Sequence, residues 1–248
     1  MGMKISNLSL CDSRPAQLSK ETTTYCYKLA PPSYNHNWTD LHYASSHGNV
    51  RRIQEIIHKT GTFNLNRKDY YGKTPLYWAA YKGHKACIEE LLKFGAKVNT
   101  QCRHGGTPLH AVVSLYPDSA LLLIKHGADV NCADNWGVTP MYLAASNGQL
   151  KVIQYLILAG AHLTYRNKTG DIPKQLSCHT KFCDYLQQLS QSPRTLQFCC
   201  RNVVRRTLDE HPEPKIDHFA LPRQLKNYLA LSELDCDQKM TDLIVPSR

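Results

Sequence analysis

A threonine–proline motif recurs along this chain with a period of about 33 residues, and this period limits the fold more than any other feature. Thr74 opens one copy, Thr107 follows it by 33 residues, and Thr139 follows Thr107 by 32. A second marker, a leucine-rich run that ends in glycine and alanine, keeps the same period. Its glycines are Gly95, Gly127 and Gly160. Two separate markers with one period indicate an array of repeats, in which units too small to bury their own apolar faces share one core.

Each copy has the residues that begin and end a pair of short helices. Pro75 suits the first turn of a helix, where its missing N–H costs no hydrogen bond. The small side chains of Ala79 and Ala80 let neighbouring helices approach closely. Gly95 suits the end of the second helix, because glycine takes a left-handed conformation at little cost. The sequence therefore predicts helix-turn-helix units.

The signature from Thr107 to Ala111, read with the period, resembles the ankyrin repeat. The resemblance implies an all-α solenoid of helix-turn-helix units with β-hairpin tips. We expect about four units within residues 38–190, the first a weaker copy at Thr39, followed by a decayed closing unit. In the third unit, the segment from Ser114 to Asp118 replaces the usual glycine between the helices, so a different turn is expected there. Residues 1–37 carry no repeat and are expected to form a loose arm.

Ankyrin arrays bind partners with their hairpin tips and with the exposed side of their first helices, so the resemblance places a target-binding groove there. Several large aromatic residues fall at positions that the core does not require, and such residues are common interface anchors. For each of them taken alone, packing on a neighbouring unit is an equally good interpretation. The candidate groove residues are Tyr70, Tyr71, Tyr81, Lys82, Arg103, His104, Ser114, Leu115, Asn135, Trp136, Ser146 and Asn147.

The last part of the chain has two further patterns that are typical of docking. Leu196, Cys200, Val204 and Leu208 are spaced by four residues and so lie along one face of a helix. Further on, Pro222 suits the first turn of a second helix. Three apolar residues after that proline share one helical face, namely Leu225, Tyr228 and Leu229. A helix of this kind either docks on a partner or caps the end of the array.

Residues 191–231 resemble a SOCS box, and the resemblance implies two binding segments. The helix 195–208 is expected to bind elongin C, through Thr195, Leu196, Cys200, Val204 and Leu208. The segment 216–229 is expected to select a cullin-5 type scaffold, through Phe219, Leu221, Pro222, Leu225, Tyr228 and Leu229. Ala220 stands where the family often has proline, and Arg223 stands where an apolar residue can occur. These departures weaken the expectation for the cullin more than that for elongin.

The combination of the two domains resembles the ankyrin repeat and SOCS box family. Membership implies a non-catalytic, substrate-recognition subunit of a cullin–RING ubiquitin ligase. The array would hold a target protein, and the SOCS box would recruit the elongin B–elongin C pair, the cullin and its RING protein. Ubiquitination and proteasomal degradation of the target would follow. An ankyrin scaffold or inhibitor that recruits no ligase remains the alternative.

The net charge of +10 raises a nucleic-acid partner as a further alternative. The lysines and arginines are spread along the chain, however, and no motif of an RNA-binding module or zinc finger is present. The pattern therefore favours a solvated basic surface.

The ten cysteines are scattered without a C-x-x-C pair, which is typical of reduced thiols in a cytosolic or nuclear protein. Their spacing fits no zinc site, and no motif joins a cysteine to a catalytic base, so neither a metal, a cofactor nor an enzyme is expected. The start of the chain matches the N-myristoylation pattern, with Gly2 as the acceptor. A membrane partner is expected only if Gly2 carries that acyl chain. Residues 232–248 form a tail with no predicted role.

Overall fold

A computed structural model describes residues 37–162, 168, 204–205, 208, 215–216, 218 and 222–230, and for residues 225, 227 and 228 it describes the backbone alone. The expected N-terminal arm, the C-terminal tail and most of the closing unit lie outside the described residues. The domain boundaries given above therefore stay predictions.

Four pairs of short helices follow one another in the described array, as the period predicts. They are α1 (Asp40–Ser46) and α2 (Val50–Thr60), α3 (Pro75–Lys82) and α4 (Lys85–Lys93), α5 (Pro108–Val112) and α6 (Pro117–Lys125), and α7 (Pro140–Ser146) and α8 (Leu150–Leu158). A later helix, α9, spans Arg223–Leu229. The predicted all-helical ankyrin fold is confirmed, and no strand is assigned among the described residues.

The helices form two layers that share one core. The first helices α1, α3, α5 and α7 stack on one another, and the second helices α2, α4, α6 and α8 form the layer behind them. Ala79, Ala80, Ala144 and Ala145 are fully buried in the first layer. Because alanine adds almost no bulk, the helices approach closely there, as the sequence predicts.

The threonine–proline motif starts three of the four first helices, α3, α5 and α7. Pro75, Pro108 and Pro140 lie in the first turn of their helices. The Oγ1 atoms of Thr74 and Thr139 each accept a hydrogen bond of 3.2 Å from a backbone N–H three residues later. Such side-chain caps satisfy N–H groups that have no partner within the helix.

The second marker ends α4, α6 and α8 and joins one repeat to the next. Gly95, Gly127 and Gly160 have φ values of 86°, 88° and 89°, so the predicted left-handed helix ends are confirmed. The Oδ1 atoms of Asn66, Asn99 and Asn131 accept backbone N–H groups from the following repeat at 2.7–2.8 Å. This asparagine ladder explains why Asn99 and Asn131 follow the Gly-Ala pairs of two repeats.

Two connections depart from the regular unit. In the first repeat, the extra residues of the longer second half form a short 3-10 helix over Gly61–Asn64. In the third repeat, α5 ends early, and the N–H of Tyr116 donates to the carbonyl of Val112 at 2.9 Å before Pro117 starts α6. The different turn expected between Ser114 and Asp118 is therefore present, and it needs no glycine with a positive φ.

Candidate protein-binding surface

Two of the three described tips are turns closed by an aspartate, and no strand flanks them. In the first described tip, one carboxylate oxygen of Asp69 accepts the N–H groups of Tyr71 and Lys73 at 2.9 and 2.8 Å. Asp134 does the same for Trp136 and Val138 in the third tip. Both carboxylates are buried, at 5% and 3% exposure. Among the described tip residues, the acidic side chains are therefore buried within the turns that they close.

Neighbouring tips are joined edge to edge by backbone hydrogen bonds. The N–H of Arg103 donates to the carbonyl of Tyr71 at 2.9 Å, and the N–H of Asn135 donates to that of His104 at 3.0 Å. The N–H of Lys168 donates in turn to the carbonyl of Trp136 at 3.2 Å. These bonds bring the predicted tip residues of separate repeats into one continuous row, which we call the tip ridge. It comprises Tyr70, Tyr71, Arg103, His104, Asn135, Trp136 and Lys168.

At one end of the tip ridge, an arginine lies over a tyrosine. The guanidinium carbon of Arg103 is 4.3 Å from the ring centroid of Tyr70, a cation–π arrangement. The ring of Tyr71 meets that of Tyr70 edge to face at 5.3 Å. Tyr70 remains 54% exposed. This pair presents an apolar surface beside a fixed cation, as interface anchors commonly do.

In the middle of the ridge, a histidine stacks on a tryptophan from the next repeat. The ring centroids of His104 and Trp136 are 5.3 Å apart, with 24° between the planes. Burial lowers the pKa of His104, and the charge of Lys73 lowers it further, while Asp134 opposes the shift. His104 is therefore held as a neutral ring at pH 7. The side chain of Asn135 donates to the carbonyl of Arg103 at 3.0 Å and so links the two tips a second time.

The remaining predicted groove residues lie at the ends of the first helices, apart from the tips. Tyr81 is half-buried, and burial, followed by the neighbouring Tyr116, raises its pKa. Lys82 is exposed, with its Nζ atom 5.6 Å from the Tyr81 ring. Asn147 donates to the Oγ atom of Ser114 at 3.1 Å, which links two repeats. Two further predicted residues differ in exposure: Leu115 is exposed and Ser146 is half-buried.

An aromatic cluster behind the first tip was missed by the sequence analysis. The indole N–H groups of Trp38 and Trp78 both donate to the Oδ2 atom of Asp69, at 3.1 and 2.9 Å. The Nζ atom of Lys73 lies 4.6 Å from the Trp78 ring and 5.0 Å from that of Tyr77. Lys73 is 4% exposed, so this lysine belongs to the support of the tip ridge and not to its surface. The sequence does hold one sign of this cluster. Trp38 stands directly before Thr39, at the position that Lys73 takes before Thr74 in the next repeat.

The predicted SOCS-box residues are described only in part. Val204 and Leu208 are helical and half-buried, and Pro222 is exposed at the start of α9. Leu229 is 6% exposed, so its side chain is buried within this chain. Leu225 and Tyr228 lie in α9, without a described side chain. The other predicted residues lie outside the described residues: Gly2, Thr195, Leu196, Cys200, Phe219 and Leu221.

Arg205 ties the helical residues around it to the array. One guanidinium nitrogen donates to the carbonyl of Leu229 at 2.6 Å. The other donates to the carbonyls of Ile124 and Lys125 at 3.0 and 3.2 Å. Both acceptor groups are at helix C-termini, where unpaired carbonyls favour a cation.

No cluster of three or more metal-ligating side chains occurs among the residues that the structure describes. Burial raises the pKa of the Cys87 thiol to about 11 and also raises that of Cys132. These two thiols therefore stay protonated at pH 7 and are poor nucleophiles. No described helix is both long enough and apolar enough to cross a membrane.

Comparison with known proteins finds the same two domain types. The family model for ankyrin repeats matches residues 19–102 and 94–167, and the SOCS box model matches residues 192–230. Ankyrin repeat and SOCS box protein 11 of Danio rerio is 34% identical over 157 residues, which cover 63% of this chain and 53% of that protein. Protein 11 of Homo sapiens is 29% identical over 157 residues, or 63% of this chain and 48% of the relative. Protein 5 of Mus musculus is 29% identical over 158 residues, with the same coverage. The chain spans about half the length of these relatives.

Proposed function

This chain belongs to the ankyrin repeat and SOCS box family, and from that premise we propose that it is a substrate-recognition adaptor of a cullin–RING ubiquitin ligase. The array would hold a target protein along the tip ridge. The SOCS box would recruit the elongin B–elongin C pair and a cullin-5 type scaffold with its RING protein. The target would then be ubiquitinated and degraded by the proteasome.

One observation carries the proposal: a rigid, aromatic and basic tip ridge and a SOCS box occur in the same chain. Two binding elements in one molecule can hold a target near an enzyme that carries ubiquitin. Proximity alone accelerates such a transfer, because it converts a bimolecular encounter into an effectively intramolecular one. In this proposal the chain itself supplies no catalytic group.

The alternative, an ankyrin scaffold with no ligase, is favoured by one contact. Arg205 donates to carbonyls of α6, so the helical residues around it also serve the array. A helix that only capped the array would make such contacts too. Val204 and Leu208 remain half-exposed, which leaves part of the stripe available to a partner.

Co-purification with elongin B and elongin C distinguishes the two functions. We expect the full chain to form a stable complex with the pair, and the Leu196→Ala, Cys200→Phe double variant to lose it. Truncation of one buried leucine costs about 2–5 kcal/mol, which already weakens binding by tens- to thousands-fold. Gln197→Ala is the matched control, because Gln197 is not part of the spaced stripe. Equal melting temperatures would show that each variant is folded.

The absence of a complex with the unaltered chain would reject the ligase adaptor and support the scaffold. A complex that survives in the double variant would show that elongin contacts another surface. Cullin binding is tested separately, by adding the cullin to the preformed elongin complex of wild type and of Pro222→Ala. We expect Pro222→Ala to weaken the cullin step and to leave the elongin step unchanged.

A further inference from the structure

We propose that the tip ridge binds an acidic, extended segment of the target protein, with Arg103 as the central carboxylate-binding residue. This inference rests on the proposed function in one respect, because it identifies the bound segment as part of the ligase target. Binding of an acidic segment by the ridge does not itself require recruitment of elongin.

The first argument is the separation of charge within the array. The tip segments 66–73, 99–106 and 131–138 contain two carboxylates, those of Asp69 and Asp134, and both are buried. Their exposed charged side chains are all basic: Arg67, Lys68 and Arg103. Exposed Lys168 continues the row in the next repeat. The three tip segments that the structure describes in full therefore face solvent with positive charge alone.

The second layer of helices is different. Its exposed carboxylates include Glu55 and Glu89, and a cation of the same helix pairs with each of them. Arg52 lies 3.0 Å from Glu55, and Lys93 lies 3.6 Å from Glu89. The salt bridges found among the described residues are all on second helices. Exposed carboxylates thus offset part of the positive charge on the second helices, whereas the described tip segments expose no carboxylate.

The second argument is that the ridge holds its cation in a defined position. Arg103 lies over the Tyr70 ring, and its backbone N–H is fixed to the neighbouring tip. A guanidinium that stacks through its face keeps its N–H edge available, and that edge matches a carboxylate in bidentate geometry. The lysines at the two ends are held as well, since the Nζ atoms of Lys68 and Lys168 donate to tip carbonyls at 2.8 and 3.0 Å.

The same stacking argues against a nucleic acid as the occupant. Single-stranded nucleic acids bind by stacking their bases on open aromatic faces. In the tip ridge, one face of Tyr70 is covered by Arg103, and one face of Trp136 is covered by His104. The rings of Tyr70 and Trp136 therefore offer ring edges and one partly open face beside basic side chains. Such a surface suits an acidic peptide, whose apolar residues can contact the rings while its carboxylates bind the cations.

Selection from a phage-displayed library of random dodecapeptides tests the proposal on the full chain in complex with elongin B and elongin C, or on the full chain alone if no complex forms. We expect the selected peptides to be enriched in Asp and Glu relative to the input library. The strongest of them, labelled with fluorescein, is then measured by fluorescence anisotropy. Arg103→Gln should weaken its binding by about tenfold or more, because a charge-assisted bidentate pair is lost.

Arg51→Gln is the matched control, because Arg51 is an exposed arginine of α2 and its loss changes the net charge equally. We expect a change of less than about twofold, since a charge outside the ridge acts only through the long-range field. Equal weakening by the two variants would overturn the proposal in favour of non-specific attraction. Selected peptides without an acidic bias would also overturn it.

An excess of a short poly-dT oligonucleotide serves as the competitor. Peptide binding that persists supports the proposal. Tighter binding of the oligonucleotide, with the same dependence on Arg103, would replace the acidic peptide with a nucleic acid. Co-purification of Arg103→Gln with elongin is measured in parallel and should match wild type. Failure of this inference is therefore distinguishable from failure of the proposed function.

Discussion

His42 and His110 occupy the same position in two repeats, and each connects its repeat to the next. The Nδ1 atom of each ring accepts the N–H of the threonine three residues earlier at 3.2 Å. Their Nε2 atoms face the carbonyls of Lys73 and Val138 at 3.2 and 3.1 Å. Because Nδ1 accepts and Nε2 donates, the geometry requires the neutral ring with its proton on Nε2. Tyr77 and Tyr142 take this position in the other two repeats.

The stability of the array is expected to fall as the pH drops below about 6.5. Burial lowers the pKa of both His42 and His110 from the ordinary value of 6.5. Between the folded and unfolded pKa values, the unfolded chain binds more protons, so the free energy of unfolding rises with pH in that window. The contribution of the two histidines is complete above pH 6.5 and is lost as the pH falls through the folded pKa.

Urea unfolding at a series of pH values from 7.5 to 5 measures this effect. The His110→Tyr variant, which takes the residue of two other repeats, should show a shallower dependence on pH. The control His162→Gln changes an exposed ring and should keep the wild-type profile. A free energy of unfolding that does not change across this range would contradict the assignment of buried neutral rings.

At the scale of the element, the junction of α3 and α4 depends on a side chain from the following repeat. Gly83 ends α3 in the left-handed conformation, with φ 75° and ψ 21°. A Cβ atom added there would lie 2.4–2.6 Å from the ring of Tyr116, which precedes α6. The turn of the third repeat, which lacks a glycine, therefore packs its tyrosine onto the glycine turn of the second.

Gly83→Ala should destabilise the array by about 2–5 kcal/mol. The left-handed backbone accounts for about 1–2 kcal/mol, and the overlap with Tyr116 for a further 1–3 kcal/mol or so. Gly95→Ala is the matched control, because Gly95 has φ 86° and no atom within 4 Å of the added Cβ. Its cost should be the backbone part alone, about 1–2 kcal/mol. Chemical unfolding compares the two, and equal costs would show that Tyr116 moves away freely.

Features within one repeat could be predicted from the sequence, because their cause is local. The proline starts of the first helices and the left-handed ends at Gly95, Gly127 and Gly160 depend on backbone preferences that each residue carries itself. The tip positions of Tyr70 and Trp136 follow from the period in the same way. That Tyr70 and Trp136 bind a target protein follows from the resemblance alone and stays a prediction.

Features between repeats could not be predicted in this way. Trp38 reaches Asp69, 31 residues later, and Arg103 stacks on Tyr70 across two tips. Such contacts depend on how far one unit rotates against the next, and no single motif records that rotation. The second described tip also departs from the pattern: Cys102 stands where Asp69 and Asp134 stand in the other tips, yet its N–H donates to the carbonyl of Gly106 as theirs donate to Lys73 and Val138.

For the molecule as a whole, the proposed function requires that the two binding elements keep a defined distance. Arg205 joins them directly, because its guanidinium bonds the C-terminal carbonyls of both α6 and α9. A cation at a helix C-terminus satisfies carbonyls that the helix leaves unpaired and opposes the negative end of its dipole. One arginine thus connects the array with the segment predicted to select the cullin.

Arg205→Ala should loosen α9 and leave the first repeats unchanged. The loss of charge-assisted bonds to Leu229 and to α6 should cost about 2 kcal/mol, which corresponds to roughly 30-fold faster local exchange. Hydrogen exchange at the amides of Lys226 and Ala230, both bonded within the helical segment, reports on α9. Amides of α3 and α4 should exchange as in wild type.

The control Arg223→Ala removes an exposed arginine from the first turn of α9, where a cation does not stabilise a helix, so it should not accelerate exchange. Unchanged protection of α9 in Arg205→Ala would show that other contacts hold this segment against the array.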